Sequence, residues 1–178
     1  MQEHGLKISE LVTLFNLEVL NRGSDYDTAL LTITDVNRPG LQFHSFYDYF
    51  DPRRLQVLGK AEITYLKGLT TEQRRKCFDD LFLYDIPALV ISRGLDCFPE
   101  CLESARVHER TLLRTEETTV EFTSHTIEYL NRVLAPCVTR HGVLLDISGE
   151  GVMITGDSGI GKSESAIELI MRGHRLGA

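Results

Sequence analysis

The residues Gly156-Asp157-Ser158-Gly159-Ile160-Gly161-Lys162-Ser163 fill every fixed position of the pattern G-x-x-x-x-G-K-[ST], which leaves the chain around it few options. A strand must lead in and a helix must lead out. Glycines let the backbone turn sharply enough for successive N–H groups to point inward at phosphate oxygens, where a Cβ would obstruct. Lys162 adds a point charge, and Ser163 places a hydroxyl where a Mg²⁺ bridging the outer phosphates would sit. The helix that follows presents its positive end to an anion. Both flanks meet the demand: Gly151-Val152-Met153-Ile154-Thr155 reads as a short apolar strand, and Ser163 to Gly173 carries Ala166, Leu169, Ile170 and Gly173 at helical spacing. The loop points to a nucleotide, against the alternative of a glycine-rich turn that binds nothing.

At 178 residues the chain is long enough for one sizeable core or two small ones. Nineteen Lys and Arg against 26 Asp and Glu give a net charge of −7, with no block of five basic residues, so neither a nucleic acid nor an anionic membrane is an expected partner. Apolar runs such as Ala88-Leu89-Val90-Ile91 fall far short of the roughly 20 residues of a membrane span. Met1-Gln2-Glu3-His4-Gly5 opens no signal peptide, and a cytoplasmic protein is expected. Four cysteines, Cys77, Cys97, Cys101 and Cys137, do not make a disulfide scaffold. Cys97 and Cys101 have a spacing that could put two thiolates on one helix face, but Pro99 lies between them and no second Cys or His pair supports a zinc site. They are read as small buried hydrophobes.

Taken in order, Ile8 to Phe15 has helical spacing, Leu17 to Leu20 looks like a strand, and Asn21 to Asp25 is a turn cluster. Leu30 to Thr34 reads as a β-branched strand, stopped by a turn at Asn37-Arg38-Pro39-Gly40. Phe43, Phe46, Tyr47, Tyr49 and Phe50 form an aromatic cluster followed by Arg53, Arg54 and Lys60. It is read as core, with a ring platform beside a basic pocket as the alternative. From Thr70 the pattern alternates. Thr70-Thr71-Glu72-Gln73 opens a helix, Pro87 to Ser92 is a buried strand, Pro99 starts a helix to about His108, Leu112-Leu113 is a short strand, and Thr118-Thr119 caps a helix reaching Leu134. This predicts an α/β domain with a largely parallel sheet over residues 1–134. Pro136 discourages further helix, and Val143 to Ile147 and Val152 to Thr155, joined by Ser148-Gly149-Glu150-Gly151, predict a hairpin leading into the glycine loop.

Four stretches carry a resemblance to the HPr kinase/phosphorylase family: Asn37-Arg38-Pro39-Gly40-Leu41; Arg54-Leu55-Gln56-Val57-Leu58-Gly59; Arg140-His141-Gly142-Val143-Leu144-Leu145-Asp146-Ile147; and Gly156 to Glu164 with Arg172-Gly173-His174-Arg175-Leu176 after it. The resemblance implies a bifunctional enzyme that phosphorylates a serine of the carrier protein HPr from ATP or pyrophosphate, and reverses this with inorganic phosphate, in bacterial carbon catabolite regulation. It implies a homo-oligomer, usually a hexamer. It also implies roles: Gly156, Asp157, Ser158, Gly159, Ile160, Gly161, Lys162 and Ser163 on the nucleotide, Lys162 on the phosphates, Ser163 on Mg²⁺, and His141 close to the transferred phosphate. Without the resemblance His141 could equally cap a strand. The family continues after His-Arg-Leu with a short hydrophobic link and an acidic pair, one of which is the carboxylate that takes the serine proton, whereas the sequence reads Leu176-Gly177-Ala178 there. Residues 135–178 are therefore expected to be the start of a P-loop kinase domain, truncated after its first strand-loop-helix, and the chain to be inactive in transfer. The competing readings are a nucleotide-sensing module without catalysis and an oligomerisation and ligand-recognition module.

Overall fold

The computed structural model describes residues 5–136 and 140–177. The chain divides into two compact units, Met1–Ala135 and Pro136–Ala178.

The first unit runs β1 (Leu6–Lys7), α1 (Ile8–Leu14), β2 (Glu18–Asn21), β3 (Leu30–Leu31), β4 (Val36–Asn37), a 3-10 turn (Gln42–His44), β5 (Leu55–Leu58), α2 (Lys60–Lys67), α3 (Thr71–Phe82), β6 (Leu89–Ile91), α4 (Pro99–Val107), β7 (Leu112–Arg114) and α5 (Thr119–Val133). Five strands form one sheet in the order β2-β7-β6-β5-β4. β4, β5, β6 and β7 pair in parallel and β2 runs antiparallel at the edge, so the sheet is largely parallel. A parallel sheet must be covered on both faces, and period-2 alternation divides its residues between two cores. Leu58, Leu89, Ile91 and Leu112 pack with Ile63 and Leu66 of α2, Phe78, Leu81 and Phe82 of α3, and Ala105 of α4. Leu55, Val57, Val90 and Leu113 pack on the other face with Ile8 and Leu11 of α1 and with Phe122 and Leu130 of α5.

Helix starts follow the residues that cap them. At α3 the Thr70 hydroxyl accepts the Gln73 N–H (3.3 Å) and the Gln73 side chain accepts the Thr70 N–H (3.0 Å). Thr118 and Glu121 do the same at α5, with Pro99 as the first residue of α4.

Several expectations change. The strand expected over Leu30 to Thr34 is only Leu30–Leu31, because its partner β1 offers two residues before α1 begins. α2 was not anticipated; its N-cap is Gly59, which has no capping side chain, and Glu62 supplies the cap by accepting the Gly59 N–H (2.9 Å). The aromatic cluster is largely not core. Phe43 is buried, but Tyr47 and Phe50 are half-buried against Tyr84, Phe46 is 46% exposed and Tyr49 fully exposed. Left-handed backbone at Ser45 and Tyr49 re-aims the chain repeatedly in this stretch, so its rings cannot share one inward face. Of the basic residues that follow it, Arg53 pairs with Asp51 (2.7 Å) and Arg54 with Asp35 (3.2 Å).

The second unit consists of β8 (Gly142–Ile147), β9 (Glu150–Thr155), α6 (Lys162–Met171) and β10 (Arg175–Leu176). Its sheet is antiparallel, in the order β10-β8-β9. The β8–β9 turn is shorter than the four residues expected. Ser148 and Gly149, both at positive φ (57° and 89°), make the two-residue turn that matches strand twist, and Glu150 and Gly151 already belong to β9. Among the described residues Leu145 and Ala166 are this unit's buried apolar side chains, and Ile167, Ile170 and Met171 on α6 are exposed.

Candidate functional site

β9 ends at Thr155 and α6 begins at Lys162, so Gly156 to Gly161 is the connection between them, in the strand, loop, helix order that the spacing demands. Gly159 (φ 82°) and Gly161 (φ 94°) hold left-handed backbone, which a side chain at either position would strain. Gly161 is the N-cap of α6 and therefore offers no side-chain cap.

α6 shares the lack of a side-chain cap with α4, whose start is Phe98-Pro99, and differs in it from the other four helices. At α1, α2, α3 and α5 a Glu or Gln three residues into the helix accepts the N-cap N–H. At α6 the residue in that position is Glu164, and among the described residues no side-chain bond caps the helix. The first intrahelical bond here runs from Ser165 N to Gly161 O (2.9 Å), which leaves the N–H groups of Lys162, Ser163 and Glu164 for an anion. Lys162 folds back over the loop, its Nζ donating to Gly156 O (2.8 Å) and Asp157 O (2.5 Å). Its ammonium thus sits on the loop that would hold a phosphate. Ser163, the second residue of α6, is exposed.

His141 lies one residue ahead of β8. Gly142 pairs with Thr155, so the hairpin register brings His141 to the end of the sheet where the glycine loop starts. A Cβ at Gly142 would stand 2.6 Å from Ile154 O, so only glycine allows this close strand approach. At the opposite end, a depression of about 340 Å³ is lined by Asp146, Ser148, Gly149, Gly173, His174 and Arg175, and the glycine loop takes no part in it. β10, absent from the sequence expectation, closes that side through the Arg175↔Asp146 and Leu176↔Leu145 pairs; a two-residue strand carries no periodicity by which to find it.

Among the described residues no cluster of three or more His, Cys, Asp and Glu could hold a metal ion. Cys97 and Cys101 do not share a helix face, because Cys97 precedes the helix and its N-cap Phe98; the Cys97 thiol donates to Phe98 O (3.4 Å). Cys137 lies outside the described residues.

The family model described as HPr Serine kinase N terminus matches residues 6–130, and that of the HPr Serine kinase C-terminal domain matches residues 132–178. This chain belongs to the HPr kinase family. It is 47% identical over 171 residues to an HPr kinase/phosphorylase of Alkaliphilus metalliredigens, covering 96% of this chain and 55% of that protein. An HPr kinase/phosphorylase of Clostridium beijerinckii is 46% identical over 172 residues, covering 97% of this chain and 56% of its own length. The chain thus spans a little over half the length of these HPr kinase relatives. A fold likeness at 13% identity and a TM-score of 0.52 links it to the crystal structure of the CBS and DRTGG domains of the regulatory region of Clostridium perfringens pyrophosphatase, covering 94% of this chain and 60% of that one.

Proposed function

We propose that this chain is part of a bifunctional HPr serine kinase/phosphorylase: it takes a phosphoryl group from ATP or pyrophosphate to a serine of HPr and returns it to inorganic phosphate, in bacterial carbon catabolite regulation. The observation that carries the reading is the uncapped N-terminus of α6 beneath a glycine loop with Lys162 folded onto it.

In this reading the N–H groups from Gly156 to Ser163 cradle the phosphates of the donor. Lys162 exchanges two carbonyl oxygens for phosphate oxygens, which carry more negative charge and make stronger hydrogen bonds. The Ser163 hydroxyl would supply one oxygen to Mg²⁺, an ion that commonly keeps several waters and is held largely by substrate phosphates, so a single protein ligand at the helix start fits it. When bound, Mg²⁺ neutralises the charge that develops on the transferred group. His141 stands at the loop end of the hairpin, where it can orient or protonate a phosphate oxygen. The acceptor is HPr and the working assembly is a homo-oligomer, a hexamer by resemblance, in the cytoplasm. Among the described residues no helix is long and apolar enough to cross a membrane.

Titration calorimetry with pyrophosphate or ATP and Mg²⁺ tests the site. Lys162→Ala is expected to weaken binding by about 1.5–3 kcal/mol, the value of a charge-assisted hydrogen bond, or roughly ten- to 150-fold. Equal affinity for the two proteins would refute the assignment.

A further inference from the structure

The aromatic stretch after Pro39 buries Phe43, and in the first unit that ring floors a cleft. The cleft lies between the 3-10 turn and α3 and has a volume of about 170 Å³. Phe43 of the turn, Leu69 after α2 and Cys77 of α3 make its apolar floor, with Phe43 and Cys77 buried and Leu69 half-buried. Phe43 packs edge-on against Phe78 at 5.8 Å, and the Cys77 thiol donates to Phe43 O (3.4 Å), so the turn and the helix are fastened together beneath the cleft. Gln42, also in the wall, is satisfied within the turn: its Nε2 donates to Phe46 O (3.2 Å) and its Oε1 accepts from Asn37 (3.4 Å).

The rim is different, because its polar groups have bonding capacity left over. Gln73, Lys76 and Asp80 stand at i, i+3 and i+7 of α3 and share one face of that helix; Tyr65 of α2 and Ser45 of the turn complete the rim. Gln73 uses its Oε1 to cap α3, accepting the Thr70 N–H (3.0 Å), and among the described residues its Nε2 hydrogens have no acceptor. Asp80 accepts from Lys76 Nζ through Oδ2 (2.6 Å), which leaves Oδ1 without a donor among the same residues. Ser45 Oγ has no bond among them either. Ser45 holds left-handed backbone (φ 59°), a costly conformation for a residue other than glycine, and one that clusters at ligand sites.

We propose that this cleft is a binding site for a free, uncharged monosaccharide. The charges of Lys76 and Asp80 offset each other in one ion pair, so a phosphate or carboxylate finds no unpaired cation here and is repelled by Asp80. The start of α3 draws no anion, since Thr70 Oγ1 and the Gln73 side chain already take its first N–H groups. An apolar ligand would bury Gln73 Nε2 and Asp80 Oδ1 unpaired, at the cost of their lost hydration. An uncharged molecule with several hydroxyls meets every demand: each hydroxyl both donates and accepts, and the C–H face of a sugar ring can lie on the Phe43, Leu69 and Tyr65 side chains. Asp80 Oδ1 accepts from one hydroxyl in a charge-assisted bond, and Gln73 Nε2 donates to another. The volume is below the roughly 300–1,000 Å³ of sites for drug-sized ligands, which limits the occupant to a single ring. The site belongs to the first unit alone and does not depend on the phosphate loop.

Nuclear magnetic resonance titration of the isotope-labelled full chain tests this, with glucose, galactose, mannose, fructose, ribose and N-acetylglucosamine as probes, each beside its phosphate monoester. At least one free sugar is expected to shift the Gln73 side-chain amide and the backbone amides of Ser45 and Cys77 saturably, with a Kd in the millimolar range or tighter. Its phosphate monoester should bind about tenfold more weakly or worse. Asp80→Asn keeps the shape and removes the charge, so it should weaken the free sugar about tenfold and narrow the gap to the monoester. Leu69→Trp, which fills the cleft from a half-buried position, should abolish the shifts at an unchanged melting temperature. The proposal is overturned if no free sugar in the panel gives a saturable shift, if a monoester binds more tightly than its parent sugar, or if the shifts persist in Leu69→Trp. Titration of the unaltered chain is decisive by itself should either variant not fold.

Discussion

Glu62 shows how much one side chain does in this fold. It is 8% exposed, its carboxylate accepts the N-cap N–H of α2 from Gly59, and it pairs with Arg38 at 2.8 Å. Burial pushes the Glu62 carboxyl up, but the Arg38 guanidinium and the N–H groups of Glu62 and Gly59 outweigh it and leave it below the usual carboxylate range. A depressed carboxyl contributes stability above its unfolded-state pKa, and that contribution is lost as pH falls through the folded one. Glu62→Gln is therefore expected to lower stability at pH 7 by about 1–2 kcal/mol, the scale of a lost cap and a charged hydrogen bond, and by less as the pH drops below 4. Urea unfolding at pH 7 and at pH 3.5 measures the difference, and an equal loss at both would contradict the pairing. None of this was visible in the local sequence. Glu62 sits in Lys60-Ala61-Glu62-Ile63, where a cap without a capping side chain gives no helix signal, and Arg38 comes from a separate turn.

Among the elements, a contact between the starts of α2 and α5 constrains the parallel sheet. A Cβ on Gly59 would stand 2.6 Å from Thr119 Oγ1, and that hydroxyl is held at 2.7 Å by Ser92 Oγ, which itself donates to Leu58 O at 2.9 Å. The starts of two helices and the ends of β5 and β6 are thereby fastened at one point. Gly59→Ala is expected to cost about 1–3 kcal/mol as overpacking, and part of that loss should return in the double variant with Thr119→Ala. Denaturant midpoints for the two single variants and the double variant give the coupling, and additive losses would show that the two residues do not collide. The elements that sequence reasoning found are those with their own chemistry: α3 and α5 through their Thr caps, α4 through Pro99, β6 through its continuous apolar run. It missed β1, β4 and β10, two residues each, and β5, whose four residues include a buried Gln56 that Asn37 of β4 satisfies at 2.6 Å.

At the scale of the molecule the two units differ in how much they bury. The first unit has an apolar core on each face of its sheet, whereas among the described residues the second has Leu145 and Ala166 as its buried apolar side chains. Apolar burial is the dominant favourable term, so α6 should open at lower free energy than β6. Hydrogen exchange is expected to show faster exchange for the amides of Lys162–Met171 than for those of Leu89–Ile91, with Mg²⁺ and pyrophosphate slowing the former. Equal protection without ligand would contradict this. Strand, loop and helix around Gly156 to Ser163 could be read from the sequence because a phosphate loop is built from consecutive residues whose backbone freedom and charge are local properties. The alternation of helix and strand after Thr70, and with it the largely parallel sheet, was legible for the same reason: caps and periodicity act within one or two turns of chain. Tertiary structure decided that the aromatics after Phe43 mostly face outward, that Glu62 takes the place of a missing cap, and that β10 closes the second sheet. Each depends on a partner brought near by the fold, whose position spacing along the chain does not encode.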